Sequence, residues 1–306
     1  MNLTSLDLNL LVALDALLTE RNITEAGKRV HVTQPAMSGA LGRLRQYFGD
    51  ELLVRVGQRM VPTPLGESLA EPVKEILLKV RAAVDSKPGF DPLTSKRRFS
   101  LMMSDYVCTV LMGEALKHIE RIAPHVSFEI VSNDVFNPWD ALDRGDVDLL
   151  IMPQEYLSKE HPSEVLFTDR YACLAWQGNA LVGDKLSQEQ YLNLGHVCLQ
   201  LNRGRVSVLD EWFLSRLDVK RRVEVLVMNF NSIPQTVLGT HRIGTTYLRL
   251  SKYYSQYLPL RVMPCPFELP TIFEAMQWHK YFQDDPGIAW LRTTLKQVAA
   301  ALTPAA

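Results

Sequence analysis

The segment that most restricts this chain runs over residues 33–48, where two incompatible faces share one helical period. At about 100° per residue, Met37, Leu41, Leu44 and Phe48 fall together, while Pro35, Ser38, Gly39, Gly42 and Gln46 lie opposite, bordered by Arg43 and Arg45. Thr33 supplies an N-cap, and Pro35 fits the first turn, where its missing N–H is not needed. The apolar face must pack on something. The other face is slim, polar and edged with cations, and that profile suits the major groove of DNA: Gln34, Pro35 and Ser38 near the helix start reach base edges while arginines hold phosphates. An interior glycine costs a helix roughly 0.5–1 kcal/mol, a penalty that close approach to a duplex would offset. A solvated helix that merely lacks charge would show the same spacing.

Its neighbours supply the rest of a small domain. Leu8, Leu11, Val12, Leu14, Leu17 and Leu18 mark the apolar face of a helix over 7–20, and Asn22 with Glu25 opens a second, through Val30. Three helices with two tight connections read as a helix-turn-helix. The apolar run 52–62 breaks at Gly57-Gln58 and predicts a hairpin that would set Arg55 and Arg59 beside the duplex. Within 21–62 the basic residues are Arg21, Lys28, Arg29, Arg43, Arg45, Arg55 and Arg59 against Glu25, Asp50 and Glu51, a local net of +4. The whole 306-residue chain carries a formal charge of −1, which excludes a general polyanion binder and leaves this head as the electrostatic footprint for nucleic acid.

Beyond the head, Leu65, Leu69, Val73, Ile76, Leu77, Val80 and Val84 predict a long amphipathic helix over 64–87, spanning roughly 33 Å. Pro72 in its interior predicts a kink, and the run from Pro88 to Pro92 ends it. From residue 98 the chain alternates strands and helices in an α/β pattern. Strands are expected at 99–103, 127–131, 147–152, 165–167, 171–176, 196–199, 223–227, 243–246, 260–263 and 271–278. Helices are expected at 108–122, 188–192, 207–214, 248–257 and 286–301.

Several classes fall away. The N-terminus has no cationic leader with an apolar stretch, and no window approaches a membrane span, so a cytoplasmic protein without a membrane partner is expected. Cys108, Cys173, Cys198 and Cys265 are far apart and read as reduced thiols in the core; neither a metal nor a cofactor is expected. Nucleophile-elbow, phosphate-loop, dinucleotide and zinc-protease motifs are missing, and the seven histidines are scattered, which argues against an enzyme. His279 beside Trp278 reads as a structural residue rather than a base.

The N-terminal 66 residues resemble the winged helix-turn-helix of LysR-type transcriptional regulators. The likeness rests on Leu8-Asn9-Leu10-Leu11, Ile23-Thr24-x-Ala26-Gly27, Thr33-Gln34-Pro35-Ala36-Met37-Ser38, Leu41-x-x-Leu44, Leu52-Leu53-x-Arg55 and Pro62-Thr63-Pro64-x-Gly66, in the family's order. Arg43-Leu44-Arg45, Leu69-Ala70-Glu71-Pro72-Val73, Trp278-His279 and Asp285-Pro286 are similar to the NodD/NahR-like subgroup, whose members respond to aromatic compounds.

The resemblance implies an α/β chain in three parts. These are a winged helix-turn-helix (1–63), a linker helix that dimerises with a second copy (64–87), and a two-lobed effector domain resembling periplasmic binding proteins (88–306). Lobe one would comprise about 95–168 and 268–303, and lobe two about 169–267. It implies a sequence-specific regulator, an activator sensing a small aromatic compound or flavonoid, with a promoter pseudo-palindrome of double-stranded DNA, a homodimer or tetramer, and RNA polymerase as partners. A repressor of the same fold, or a small-molecule-binding protein whose N-terminal helices are only an interaction module, would be read from the same residues.

DNA contact is thus expected at Thr33, Gln34, Pro35, Ser38, Arg43, Arg45, Arg55 and Arg59. Ligands of open α/β folds bind at the carboxyl ends of strands. That places Ser104, Asp105, Tyr106, Pro153, Gln154, Asn202, Arg203, Phe230, Asn231 and Thr245 as effector candidates, with Tyr106 and Phe230 as aromatic walls. Asp105 and Asp169 suit an anionic effector poorly and fit caps or hinge ion pairs instead.

Overall fold

The computed structural model describes residues 7–57, 59–85, 89–132, 138–200 and 209–302. It divides into two units, Met1–Ser86 and Lys87–Ala306.

In the first unit each helix start is fixed by a side-chain cap. Asp7 accepts from Asn9 N ahead of α1 (Leu8–Glu20), Asn22 from Thr24 N and Glu25 N ahead of α2 (Ile23–Arg29), and Thr33 from Ala36 N ahead of α3 (Gln34–Phe48). Gly49, at φ +64°, closes α3. The core joins Leu10, Leu14 and Leu17 of α1 to Ala26 of α2 and to Met37, Leu41 and Leu44 of α3. β1 (Leu53–Val56) pairs antiparallel with β2 (Arg59–Pro62) in the expected hairpin.

α4 (Pro64–Asp85) follows as one helix through Pro72. The missing N–H would have served Ser68 O, and both residues are exposed, so water can take that carbonyl. Leu65, Leu69, Val73 and Leu77 pack on the three-helix core, so much of the linker's apolar stripe is used within its own unit.

The second unit holds two five-stranded sheets. Lobe one contains β3 (Arg98–Met103), α5 (Asp105–Val107), α6 (Gly113–Ile122), β4 (Ser127–Ser132), α7 (Pro138–Asp143), β5 (Leu149–Pro153) and β6 (Ser163–Asp169). Lobe two follows with β7 (Tyr171–Trp176), α8 (Gln188–Asn193), β8 (Gly195–Leu199), α9 (Leu209–Arg216), β9 (Arg222–Val227), α10 (Ser232–Thr236), β10 (Ile243–Tyr247), α11 (Leu248–Ser255) and β11 (Leu260–Pro264). The chain then returns through β12 (Ile272–Gln277) and α12 (Pro286–Ala301).

The sheet orders are β4-β3-β5-β12-β6 and β11-β7-β10-β8-β9. β12 inserts antiparallel between β5 and β6, so lobe one is completed only by the C-terminal return. Two crossings link the lobes, at Asp169–Tyr171 and between β11 and β12. At the closure Arg97 donates to Asp285 at 2.6 Å, and the Arg292 guanidinium lies 3.5 Å from the centre of the Trp278 ring.

Two departures from the expected elements are physical. The helix anticipated over 108–122 starts at Asp105, capped by Ser104, and passes through a π-helical turn at Cys108–Met112. Such turns bulge outward, and Thr109 in this one meets Asn231 of the other lobe at 3.1 Å. The short helices α7 and α10 have no sequence counterpart: five or six residues show little of a 3.6-residue period, and α10 lacks the capping box that marks the similarly short α8.

Candidate nucleic-acid interface and effector cleft

Met37, Leu41 and Leu44 fix α3 by burial, and the opposite face stays open. Gln34, Pro35, Gly39, Gly42, Arg43 and Gln46 are exposed and Ser38 is half-buried. Gln34 Nε2 donates to Ser38 Oγ at 3.4 Å, so the two expected base readers form one polar patch on the first turns. A Cβ added at Gly39 or Gly42 would meet nothing within 4 Å. Internal packing therefore does not require either glycine, and the thin face is a property of the outer surface.

Arg45 departs from its expected role. Its guanidinium donates to Glu51 O at 3.0 Å and to Leu53 O at 2.8 Å, and pairs with the Glu51 carboxylate at 3.0 Å. Arg45 pins the end of α3 to the wing instead of reaching for phosphate. Arg43 and Arg59 are exposed, and Arg55 Nε donates back to Gly57 O at 3.1 Å. Thr33 keeps its cap role and lies exposed at the helix start.

A polar node missed in the sequence anchors the wing. Leu52 is buried at φ +58°, an unusual conformation for a branched side chain. Asp50 holds it by accepting from Leu52 N at 2.7 Å and from the Thr63 hydroxyl at 2.6 Å, and these bonds lower the Asp50 carboxyl below its ordinary range, Thr63 contributing most. A Cβ on Gly66 would lie 2.3 Å from Leu52 O, so the start of α4 approaches this turn as only glycine allows. Positive φ at a leucine has no sequence signal of its own.

In the second unit four of the expected effector residues, Asp105, Tyr106, Phe230 and Asn231, gather where the lobes meet, and they are occupied there by one another or by their neighbours. Asp105 accepts from Phe230 N at 3.1 Å and from Asn231 N at 2.7 Å, and Asn231 also bonds Thr109. Asp105 and Asn231 form a clasp between lobes. Tyr106 is fully buried and donates to Asp169 at 2.5 Å; its ring packs on Tyr247 at 4.5 Å and on Phe230 at 5.8 Å. Burial, then the Asp169 charge, push the Tyr106 phenol well above its usual range, so it remains a donor. Tyr106 and Phe230 are thus interior to an aromatic hinge cluster rather than walls of an open cleft.

Thr245 is 5% exposed and meets the Tyr191 hydroxyl at 2.9 Å, inside lobe two, because its side chain faces the sheet core. Ser104 caps α5 and remains half-buried, Pro153 is half-buried, and Gln154 is exposed. Asn202 and Arg203 lie outside the described residues.

Sequence reasoning missed Tyr247, whose ring stacks with Phe230 at 5.2 Å, and Glu274. Glu274 is 1% exposed, its Oε2 has no hydrogen-bond partner among the described residues, and burial followed by the nearby Asp169 and Glu155 charges raises its carboxyl to about 8. A single acid in a mostly apolar strand gives no pattern from which its burial could be read.

Asp143, His161 and His279 bring ligand-type atoms within 4.8 Å of one another. Three imidazole nitrogens of the cluster have partners: His161 Nδ1 accepts from Lys280 N, His161 Nε2 meets Asp143 at 2.6 Å, and His279 Nδ1 accepts from Tyr281 N. These bonds tie α7 to the turns beside β6 and β12. Among the described residues no helix is long and apolar enough to cross a membrane.

Comparison with known proteins agrees with both units. Residues 8–67 match the bacterial regulatory helix-turn-helix protein family, lysR type, and residues 94–300 match the LysR substrate binding domain. The chain is 40% identical to nodulation protein D 1 of Bradyrhizobium sp. (strain NC92), across 100% of this chain and 97% of that protein. A probable transcriptional regulator from Pseudomonas aeruginosa is 27% identical with a TM-score of 0.66, covering 96% of this chain and 98% of the other. Full-length OxyR from the same organism shares the fold, with a TM-score of 0.71 at 17% identity, covering 97% and 96%. The capped α3 with its open outer face, the wing and the two-lobed domain are therefore those of a DNA-binding transcriptional regulator, and the chain belongs to the LysR family, among regulators like nodulation protein D.

Proposed function

We propose that the protein is a cytoplasmic, effector-responsive activator that reads a promoter pseudo-palindrome as a dimer, or as a tetramer of two dimers. The observation that carries this reading is the outer face of α3: Gln34 and Ser38 are presented together, two glycines leave space around them, and Arg43 stands at the edge. In this reading Gln34, Pro35 and Ser38 contact bases, and Arg43, Arg55 and Arg59 hold phosphates. Residues 1–63 form the head and 64–87 the dimerisation helix. Ile76 and Val84 on α4 are 44% and 70% exposed, which supports a partner helix from a second copy.

The effector is a small aromatic compound, an aromatic acid, phenol or flavonoid, bound between the lobes beside Ser104 and Gln154. It acts through the Asp105–Asn231 clasp and the Tyr106 cluster, by binding one lobe arrangement better than the other. RNA polymerase is the partner that the rearranged assembly meets.

Sequencing of promoter fragments retained by the full chain, followed by reporter assays with salicylate, a chlorinated phenol and a flavone, tests this. Selective retention and ligand-raised expression are expected. The absence of any retained fragment would reduce the head to an interaction module, and expression that rises on deletion of the protein would make it a repressor.

A further inference from the structure

A cavity of about 480 Å³ opens on lobe two beside both chain crossings, and none of the expected effector residues lines it. Its walls include Tyr171, Leu248, Met263, Phe267 and Leu269. That volume falls in the range of roughly 300–1,000 Å³ usual for small-molecule sites, and mostly apolar walls with a few polar groups are their usual composition. Three exposed charged residues also line it: Arg170, Lys252 and Glu268. Neither Arg170 nor Lys252 pairs with a carboxylate among the described residues, so the mouth carries an excess of positive charge over apolar walls. We propose that this cavity is a second small-molecule site, separate from the interlobe cleft, that takes a planar aromatic carboxylate or phenolate.

The ring would lie against Tyr171 and Phe267, and the anion would sit between Arg170 and Lys252. Its position gives it a route to the hinge. Arg170 follows Asp169, the acceptor of the Tyr106 hydroxyl, and Leu248 follows Tyr247, which packs on the Tyr106 ring. Asp169 also accepts from Arg170 N and Arg249 N, so backbone on two sides of the cavity is tied to the carboxylate that holds the hinge cluster. A ligand here would stiffen one arrangement of the crossings, which makes the site modulatory.

Cys265 on the cavity wall is half-buried and provides the readout. The full chain is alkylated with iodoacetamide, with site-resolved mass spectrometry, in the presence of 1-naphthoate or its neutral amide. Naphthoate is expected to slow Cys265 at least fivefold and to leave Cys108, near the interlobe clasp, unchanged. The amide is expected to protect neither. In the Arg170→Gln/Lys252→Gln variant, which alters only exposed side chains, the naphthoate concentration for half-protection should rise at least tenfold. Unprotected Cys265 in the wild type, equal protection by the amide, or an unshifted titration in the variant would each overturn the proposal.

Discussion

Residue-scale behaviour is set by a few polar groups in apolar surroundings. Glu274 has a carboxyl raised from near 4.5 to about 8, so between these values the folded chain keeps a proton that the unfolded chain has released. Stability must therefore fall as pH rises through that window, by up to about 5 kcal/mol in total. Glu274→Gln should flatten the slope of stability against pH in urea titrations at pH 5–8 and raise stability at the upper end. Asp50 works in the opposite sense: its carboxyl is lowered, so its contribution is present at neutral pH and disappears in acid as the group protonates. Asp105→Ala should open the clasp and speed hydrogen exchange at Asn231 N at least tenfold, without altering exchange in α1 to α3.

At the scale of elements, α3 and the wing make distinct predictions. Gly39→Ala should stabilise α3 by roughly 0.5–1 kcal/mol, because a methyl there meets nothing and alanine favours the helix. The same variant should bind promoter DNA more weakly, as the methyl occupies the approach to the groove. Gly66→Ala should destabilise the head by about 1–3 kcal/mol through the clash with Leu52 O, seen as a lower thermal midpoint of the N-terminal transition.

Most elements were legible in the sequence because a long period or a cap marks them. α12 coincides with its predicted range from the Asp285 cap onward, and β7 with its apolar run. What escaped was whatever tertiary contact decides. Arg45 sits beside Arg43 in sequence and has the same charge, yet a half-turn of helix sends one to the wing and leaves the other at the surface. Likewise Tyr106 and Phe230 were correctly placed at the ends of strands, but only folding shows them packed on each other.

For the whole molecule, a formal charge of −1 leaves little bulk attraction for DNA, so in the proposed dimer affinity would come from two heads acting together and from base contacts. On that proposal the head reads sequence and the effector unit sets how two heads are presented. The division of roles on the head is the central claim, and fluorescence anisotropy of the full chain on a selected promoter fragment and a scrambled duplex, over a series of salt concentrations, tests it directly. Ser38→Ala should lower the preference for the promoter by about 1–3 kcal/mol with an unchanged salt slope, whereas Arg59→Gln should weaken both duplexes equally and reduce the slope by about one. The same loss from both variants, or a wild-type chain that binds the two duplexes equally, would contradict it.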